Sequence, residues 1–335
     1  MKAARFYRHG GVDALQIDDI EAPLPGPGEV QVRVRAAALN GFDPMMLAGS
    51  TGLKSPLPLC PCGDFAGEIS ALGPDLSGDW REGDRISGYP ILPKSGMMGE
   101  VAQGAAREYL VLPESCLLPM PDGVSFEQAA ALPVAYGTAL RMMVTRGAVR
   151  AGERVLILGA SGGVGVACVQ LAHAVGAEVI ACGSGAWKLD RLREIGADHV
   201  IDTAQENFAS AVRERFGKPA YDGSGDGGVD VLVNYIGGDT WAAGLKTLRQ
   251  HGRVLVCGAT AGHDPATDLR YIWSFEQTVV GSNGWTPTDQ AELLQRVARA
   301  ELKPVIHAAR PVDEIATAMQ ELIDRRVIGK SVLTL

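Results

Sequence analysis

Val155-Leu156-Ile157-Leu158-Gly159-Ala160-Ser161-Gly162-Gly163-Val164-Gly165 is the stretch that decides the fold. An apolar strand-like run enters a glycine turn directly, and the residues that follow, 164–175, carry a helical pattern. That strand–turn–helix context separates a dinucleotide turn from a chance cluster of glycines. Gly162 lets the backbone approach a pyrophosphate where a Cβ would collide. Gly165 lets the helix pack closely on the strand. The helix N-terminus offers unpaired N–H groups and the positive end of its dipole to phosphates. Ala160, Ser161, Gly162, Gly163, Val164 and Gly165 are therefore candidate cofactor-binding residues. The run reads Ala-x-x-Gly-x-x-Gly, with Ala160 at the usual first glycine. A purely structural glycine turn is the alternative.

Strand and helix patterns alternate on both sides of this turn. Strands are expected at 154–158, 179–182, 199–201, 229–233, 254–257 and 278–281, and helices at 164–175, 187–195, 207–216 and 241–248. Such a βαβαβ series implies an α/β doubly wound fold, a parallel sheet with helices on both faces. The acidic, Gly-rich stretch 221–228 interrupts it and reads as a solvated surface excursion rather than a cation site. The first 120 or so residues have a different texture. Val30, Val32 and Val34 alternate with Gln31, Arg33 and Arg35, the period of a half-buried strand. Further short strands are expected at 65–71, 84–89 and 108–112. Ser125-Phe126-Glu127-Gln128 has capping-box spacing and opens a helical stretch that Pro133 divides. Beyond Gly284 come helices at 289–300 and 312–323 and a strand at 331–335, a tail expected to return to the first domain. The expected organisation is 1–125, a β-rich domain; 126–285, the nucleotide-binding domain; and 286–335, the return.

Composition agrees with a two-domain globular chain of 335 residues, 46% hydrophobic and 21% charged. A net charge of −8 leaves no basic footprint for nucleic acid. No apolar run approaches the roughly 18–20 residues of a membrane span. No apolar segment follows the basic residues Lys2, Arg5 and Arg8, so a secretory signal is not expected either. The six cysteines, Cys60, Cys62, Cys116, Cys168, Cys182 and Cys257, read as thiols of a reducing, cytoplasmic protein. Cys60-x-Cys62 lacks a second Cys/His pair at zinc spacing, so no metal site is expected.

The second strand of the series ends Ala181-Cys182-Gly183-Ser184, without the acid that usually accepts from the ribose 2′-OH of NAD. Lys188 follows one helical turn on. A hydroxyl, exposed N–H groups and a lysine would bind a 2′-phosphate, which favours NADP(H). Alternatively, Ser184 caps the helix and Lys188 faces water. Gly237 and Gly238, and then Gly258, Ala259 and Thr260, follow the fourth and fifth strands, where open α/β sheets bind ligands. Their backbone is expected to contact ribose and nicotinamide.

Taken in order, Gly28-Glu29-Val30, Asn40-x-x-Asp43, Gly63-Asp64-Phe65-Ala66-Gly67, Tyr136-x-Thr138-Ala139, Gly152-Glu153, the turn at 160–165, Gly196-Ala197-Asp198 and Gly329-Lys330 resemble the medium-chain dehydrogenase/reductase superfamily over nearly the whole chain. The resemblance implies a GroES-like catalytic domain, a Rossmann cofactor domain and a cleft between them. Zinc-dependent members place a Cys, a His-Glu pair and a later Cys at positions that here hold Asn40, Gly63-Asp64 and 129–131, all alanine. The chain therefore resembles the zinc-free, quinone oxidoreductase-like branch. That implies NADPH-dependent hydride transfer to a quinone or α,β-unsaturated carbonyl, with a small apolar or conjugated substrate. Oxidation or reduction of another alcohol or carbonyl, and cofactor binding without catalysis, stand as rivals. The tyrosine or arginine frequent shortly after this Asp in those branches is absent, because Asp43 runs into Pro44-Met45-Met46-Leu47. Within the resemblance the catalytic candidates are Asn40, as donor to an acceptor oxygen, Asp43, as holder of that loop, and Tyr136, as donor to substrate. Each has a plain structural alternative. Thr138 would line the nicotinamide pocket, with Asn283 and Lys330 as further cofactor-side candidates. Met45, Met46, Leu47, Met97, Met98 and Trp273 would line an apolar substrate mouth or pack the core. The β-branched strand at 278–281 looks like the family's edge strand, so a homodimer is expected.

Overall fold

The computed structural model of the chain describes residues 1–222 and 224–335. Gly223, inside the acidic stretch read above as a surface excursion, lies outside the described residues. The chain divides into two compact units, Met1–Gly137 with Thr286–Leu335, and Thr138–Trp285.

The second unit carries the glycine turn. Its strands are β1 Arg154–Ile157, β2 Glu178–Gly183, β3 His199–Asp202, β4 Val229–Val233, β5 Leu248–Val256 and β6 Thr278–Gly281. They pair in the order 3-2-1-4-5-6, every pair parallel. The reversal between β1 and β4 is the switch point at which doubly wound sheets bind dinucleotides. The connecting helices are α1 Gly163–Val175, α2 Ala186–Glu194, α3 Phe208–Phe216, α4 Thr240–Leu245 and α5 Leu269–Ser274. Asn207 caps α3, accepting from the N–H groups of Ala209 and Ser210. Leu156, Ile180, Leu232 and Val254, from the four central strands, belong to one core with Phe208 and Val212 of α3. Strand β5 begins at Leu248, six residues before the expected start, and α4 ends at Leu245. The cause is local: Arg249-Gln250-His251 carries no apolar alternation, and His251 sits at φ 63°.

The first unit is built on a seven-stranded sheet. Strands Ile306–Pro311, Lys330–Thr334, Glu29–Leu39, Asp64–Leu72, Arg85–Gly88 and Leu117–Pro119 follow one another across it, and Tyr109–Pro113 also pairs with Glu29–Leu39. Val30, Val32 and Val34 point into the core while Arg33 is exposed. The tail returns through Lys330–Thr334, which pairs antiparallel with Glu29–Leu39 and sets Ser331 opposite Leu39. Ser125 caps the helix Phe126–Ala130 in a full capping box. That helix was expected to open the nucleotide-binding domain, but it belongs to the first unit. It packs against Glu29–Leu39 and Asp64–Leu72, with Ala129 and Ala130 fully buried. The division falls twelve residues later than the capping signal, because a cap marks where a helix starts and not which sheet the helix covers. The hairpin Lys2–Phe6 with Leu15–Asp19 and the strand Ile306–Pro311 had no clear signal in the sequence.

Candidate active site

The turn between β1 and α1 is held from three sides. Ala160 N–H donates to the Cys182 carbonyl at the end of β2 (2.9 Å), and Gly162 N–H donates to the Gly159 carbonyl (3.0 Å). Gly159 sits at φ 66°, a conformation that side chains disfavour. A Cβ on Gly165 would lie 2.4 Å from the Gly159 carbonyl oxygen, so this glycine is fixed by helix–strand contact. A Cβ on Gly162 would meet no protein atom closer than 3.5 Å. The protein itself therefore leaves that side of Gly162 open, as close approach by a ligand requires. No side chain caps α1, whose N-cap is Gly162. The arrangement fits a pyrophosphate at the helix N-terminus.

Tyr235, in the loop after β4, is the strap that sequence reasoning missed. Its hydroxyl donates to the Gly159 carbonyl (2.7 Å) and accepts from the Gly165 N–H. Burial raises its pKa well above the ordinary tyrosine value. The contact joins positions 76 residues apart, so no local spacing announces it. Asn234 organises the same loop. Its Oδ1 accepts from the N–H groups of Ile236 and Gly237 and from the Thr240 hydroxyl. The loop after β5 is laced to it: Thr260 N–H donates to the Tyr235 carbonyl and Ala261 N–H to that of Ile236. A Cβ on Gly237 would stand 2.3 Å from the Gly262 carbonyl oxygen. Gly237, Gly258, Ala259 and Thr260 thus belong to one paired-loop surface at the C-terminal ends of β4 and β5.

At the end of β2, Ser184 is exposed and caps nothing, since the N-cap of α2 is Gly185 with no side-chain bond. Lys188 is 5% exposed and lies with Nζ 5.5 Å from the centroid of the Trp187 ring. The alternative of a capping serine and a water-facing lysine does not hold. Thr138 is buried, and Asn283 is exposed just beyond β6.

In the first unit, Asn40, Asp43, Asp64 and Lys330 form one buried network. Lys330 Nζ donates to Asp64 Oδ2 (3.0 Å) and to Asn40 Oδ1. Asn40 Nδ2 donates to the same Asp64 oxygen (3.0 Å), and Asp64 Oδ1 accepts from the Val134 N–H (3.0 Å). Asp43 accepts from the N–H groups of Asn40 (2.7 Å) and Cys62 (2.9 Å). Burial pushes its pKa up to about 7 against those two bonds. A buried ion pair survives when its remaining lone pairs and protons are satisfied, and here they largely are. Lys330, expected on the cofactor side, is instead committed to Asp64 and Asn40 at 2% exposure.

These contacts place two of the catalytic candidates: Asp43 in the loop-holding position read from the sequence, and Tyr136 in the interior of the first unit. Asp43 is 0% exposed with both oxygens engaged, so it holds the 40–43 loop and meets no substrate. Tyr136 is 0% exposed, and its hydroxyl accepts from the Val305 N–H (2.9 Å). It packs the first unit. Asn40 keeps one amide hydrogen beyond its bond to Asp64. Met46, Leu47 and Met98 are core residues, while Met45 and Trp273 are exposed. Cys60 and Cys62 are buried, and burial raises both thiols, Cys60 to about 12, away from the thiolate a metal needs. Among the described residues no group of three or more His, Cys, Asp or Glu could hold a metal ion. Nor, among the described residues, is any helix long and apolar enough to cross a membrane.

A Rossmann sheet with an open glycine turn, joined to a GroES-like β unit, defines a nicotinamide-dependent oxidoreductase. Residues 26–122 match the alcohol dehydrogenase GroES-like domain, and residues 163–299 match the zinc-binding dehydrogenase family. The chain belongs to the medium-chain dehydrogenase/reductase superfamily. It is 29% identical to the quinone oxidoreductase of Mus musculus over 96% of this chain and 94% of that protein. It is 37% identical to the spectinabilin polyketide synthase system protein NorB of Streptomyces orinoci, over 97% of this chain but only 14% of that much longer protein. The crystal structure of an NAD-dependent alcohol dehydrogenase superposes with a TM-score of 0.90 at 32% identity, covering 100% of both chains.

Proposed function

We propose that the chain is an NADPH-dependent, zinc-independent reductase that transfers hydride to a quinone or α,β-unsaturated carbonyl. The observation that carries this reading is the Asn40–Asp64–Lys330 network, in which Asn40 and Asp64, at positions where zinc-dependent relatives hold metal ligands, are both engaged by the Lys330 ammonium. A carboxamide, and a carboxylate that already binds an ammonium, do not make the three-ligand set of a catalytic zinc. Without a Lewis acid, a conjugated acceptor is the easier substrate, because the developing charge delocalises over it. The cofactor, when bound, supplies the hydride. The turn at 160–165 holds its pyrophosphate, Ser184 and Lys188 its 2′-phosphate, and the Gly237 and Gly258–Thr260 loops its ribose and nicotinamide. Thr138 and Asn283 complete that pocket. The remaining amide hydrogen of Asn40 donates toward the acceptor oxygen as charge develops there. Six free thiols, five of them buried, fit a reducing compartment, and we place the protein in the cytosol.

The test is NADPH oxidation with a quinone and with a small enone in the presence of chelator. Turnover under those conditions is expected. Activity abolished by chelator and restored by zinc would overturn the reading. A second reading, alcohol oxidation with NAD, draws on the likeness to the NAD-dependent alcohol dehydrogenase. Turnover of saturated alcohols alone would favour it.

A further inference from the structure

The chain just before β1 leaves helical geometry in an unusual way. Arg141–Arg146 is a π-helical turn. Gly147 N–H donates to the Met142 carbonyl, five residues back, at 2.8 Å. The register decides where the two arginines point. At 3.6 residues per turn, positions five apart would stand roughly 140° from each other. The wider π turn, closed by i→i+5 bonds, brings them toward one face. Both line one cleft of ≈ 440 Å³, together with Cys257 at the end of β5 and Ser282 and Asn283 at the end of β6.

The cleft has the chemistry of an anion site. It carries two guanidinium groups and no carboxylate among its lining residues. Arg146 uses Nε to donate to the Gly281 carbonyl (3.1 Å). Among the described residues no acid pairs with it, so its terminal N–H groups remain for a ligand. Ser282 is 9% exposed, and its Oγ has no hydrogen-bond partner. Enclosed hydroxyls are normally satisfied, and a turn about the Cα–Cβ bond would offer this one to the cleft. Strands β5 and β6 belong to the half of a doubly wound sheet that takes the second nucleotide of a dinucleotide, here the nicotinamide half. A cationic cleft at their C-terminal ends is placed for something carried by the acceptor.

We propose that this cleft is a subsite for the carboxylate of an anionic acceptor, so that the enzyme prefers conjugated carbonyl substrates bearing an acid group. The proposal rests on the function proposed above only for the identity of the group that carries the carboxylate. Arg146 supplies a planar two-pronged donor matched to a carboxylate. Ser282 adds a hydroxyl.

The experiment compares (E)-4-oxopent-2-enoate with its methyl ester, two enones that differ in one negative charge. Binding is measured by calorimetry on the NADP-loaded protein, which cannot turn over. The acid is expected to bind about ten- to a hundredfold more tightly than the ester, the range of a charge-assisted hydrogen bond. Arg146→Gln is expected to bring that ratio to about two or less while leaving ester binding unchanged. Arg146→Lys, which keeps the charge without the fork, should recover part of the ratio and shows that the position tolerates change. Equal binding of acid and ester by the parent overturns the subsite, and so does an equal loss for both ligands in Arg146→Gln. NADPH oxidation by each ligand then separates the two proposals. Acid preference in binding without reduction of either enone leaves the subsite standing and removes the conjugated-acceptor reading. Reduction of both without acid preference does the opposite.

Discussion

At the scale of single residues, the buried network sorts structure from chemistry. Lys330 and Asp64 are 2% and 0% exposed, so removing one partner strands a buried charge. Lys330→Met is expected to destabilise the fold by about 3–5 kcal/mol. The double variant Lys330→Met with Asp64→Asn should lose clearly less than the sum of the singles, read by urea unfolding; simple additivity would refute the pairing. Asp43 sets a pH dependence. Burial raises its pKa from the ordinary 3.8 to about 7, so the folded protein keeps a proton that the unfolded chain releases between those values. Stability should therefore fall as pH rises from about 4 to 7. Asp43→Asn should remove that component, and identical pH slopes for parent and variant would count against it. At the other site, Lys188→Ala should weaken NADPH about tenfold or more and leave NADH nearly unchanged, if it makes the proposed charge-assisted bond to a 2′-phosphate. Equal losses in titrations with both cofactors would show that Lys188 does not read the phosphate.

At the scale of elements, what was legible depended on whether the signal was local. The β1–α1 turn is spelled out in eleven consecutive residues, and the apolar runs at β1, β4 and β6 match their strands within a residue. Capping boxes and β-branched runs act over a few positions, so they can be read from spacing. Tyr235 cannot, because its hydroxyl reaches Gly159 and Gly165 across the sheet. The same holds for Lys330, whose role appears only when the last strand lies beside Glu29–Leu39. The π turn was hidden for another reason: Arg141–Arg146 has no composition that separates it from an ordinary helix. The turn itself makes a sharp prediction. Gly165→Ala would place a Cβ 2.4 Å from the Gly159 carbonyl oxygen and 2.6 Å from Ala160. Helix and strand must then separate, at a cost of about 1–3 kcal/mol for overpacking. Dinucleotide affinity should fall at least tenfold, while Gly165→Ser should be no better. A variant that binds cofactor as the parent does, in a fluorescence titration, would show that this contact does not shape the site.

At the scale of the whole molecule, the two-unit division was legible as a change of texture, but its boundary was not. Capping at Ser125 begins a helix that packs on the first unit's sheet, and only contacts reveal that. Assembly follows from the same kind of argument, carried by an edge. Among the described residues, strand β6 pairs only with β5, so its outer side presents unpaired N–H and C=O groups. Arg146 occupies the Gly281 carbonyl, which leaves the row from Thr278 to Val280. Thr278 is exposed, and Val279 is 49% exposed, an apolar β-branched side chain on a bare strand. Edges of this kind are usually blunted by charge, proline or a covering element. Here neither a charged residue nor a proline stands in β6. Antiparallel pairing of β6 with its twofold mate would satisfy the row in both copies at once, and isologous dimers are the commonest closed assembly. We therefore expect a homodimer, with a mass near twice 35.2 kDa in light scattering at micromolar concentration. Val279→Lys would set two ammonium groups close together across the twofold axis and should shift the protein toward monomer, at least tenfold in dissociation constant. The cofactor turn lies at β1 and should be unaffected, so NADPH binding by the monomeric variant serves as the control for folding. A parent that runs as a monomer would remove the edge-pairing argument, and a Val279→Lys variant that stays dimeric would move the interface elsewhere.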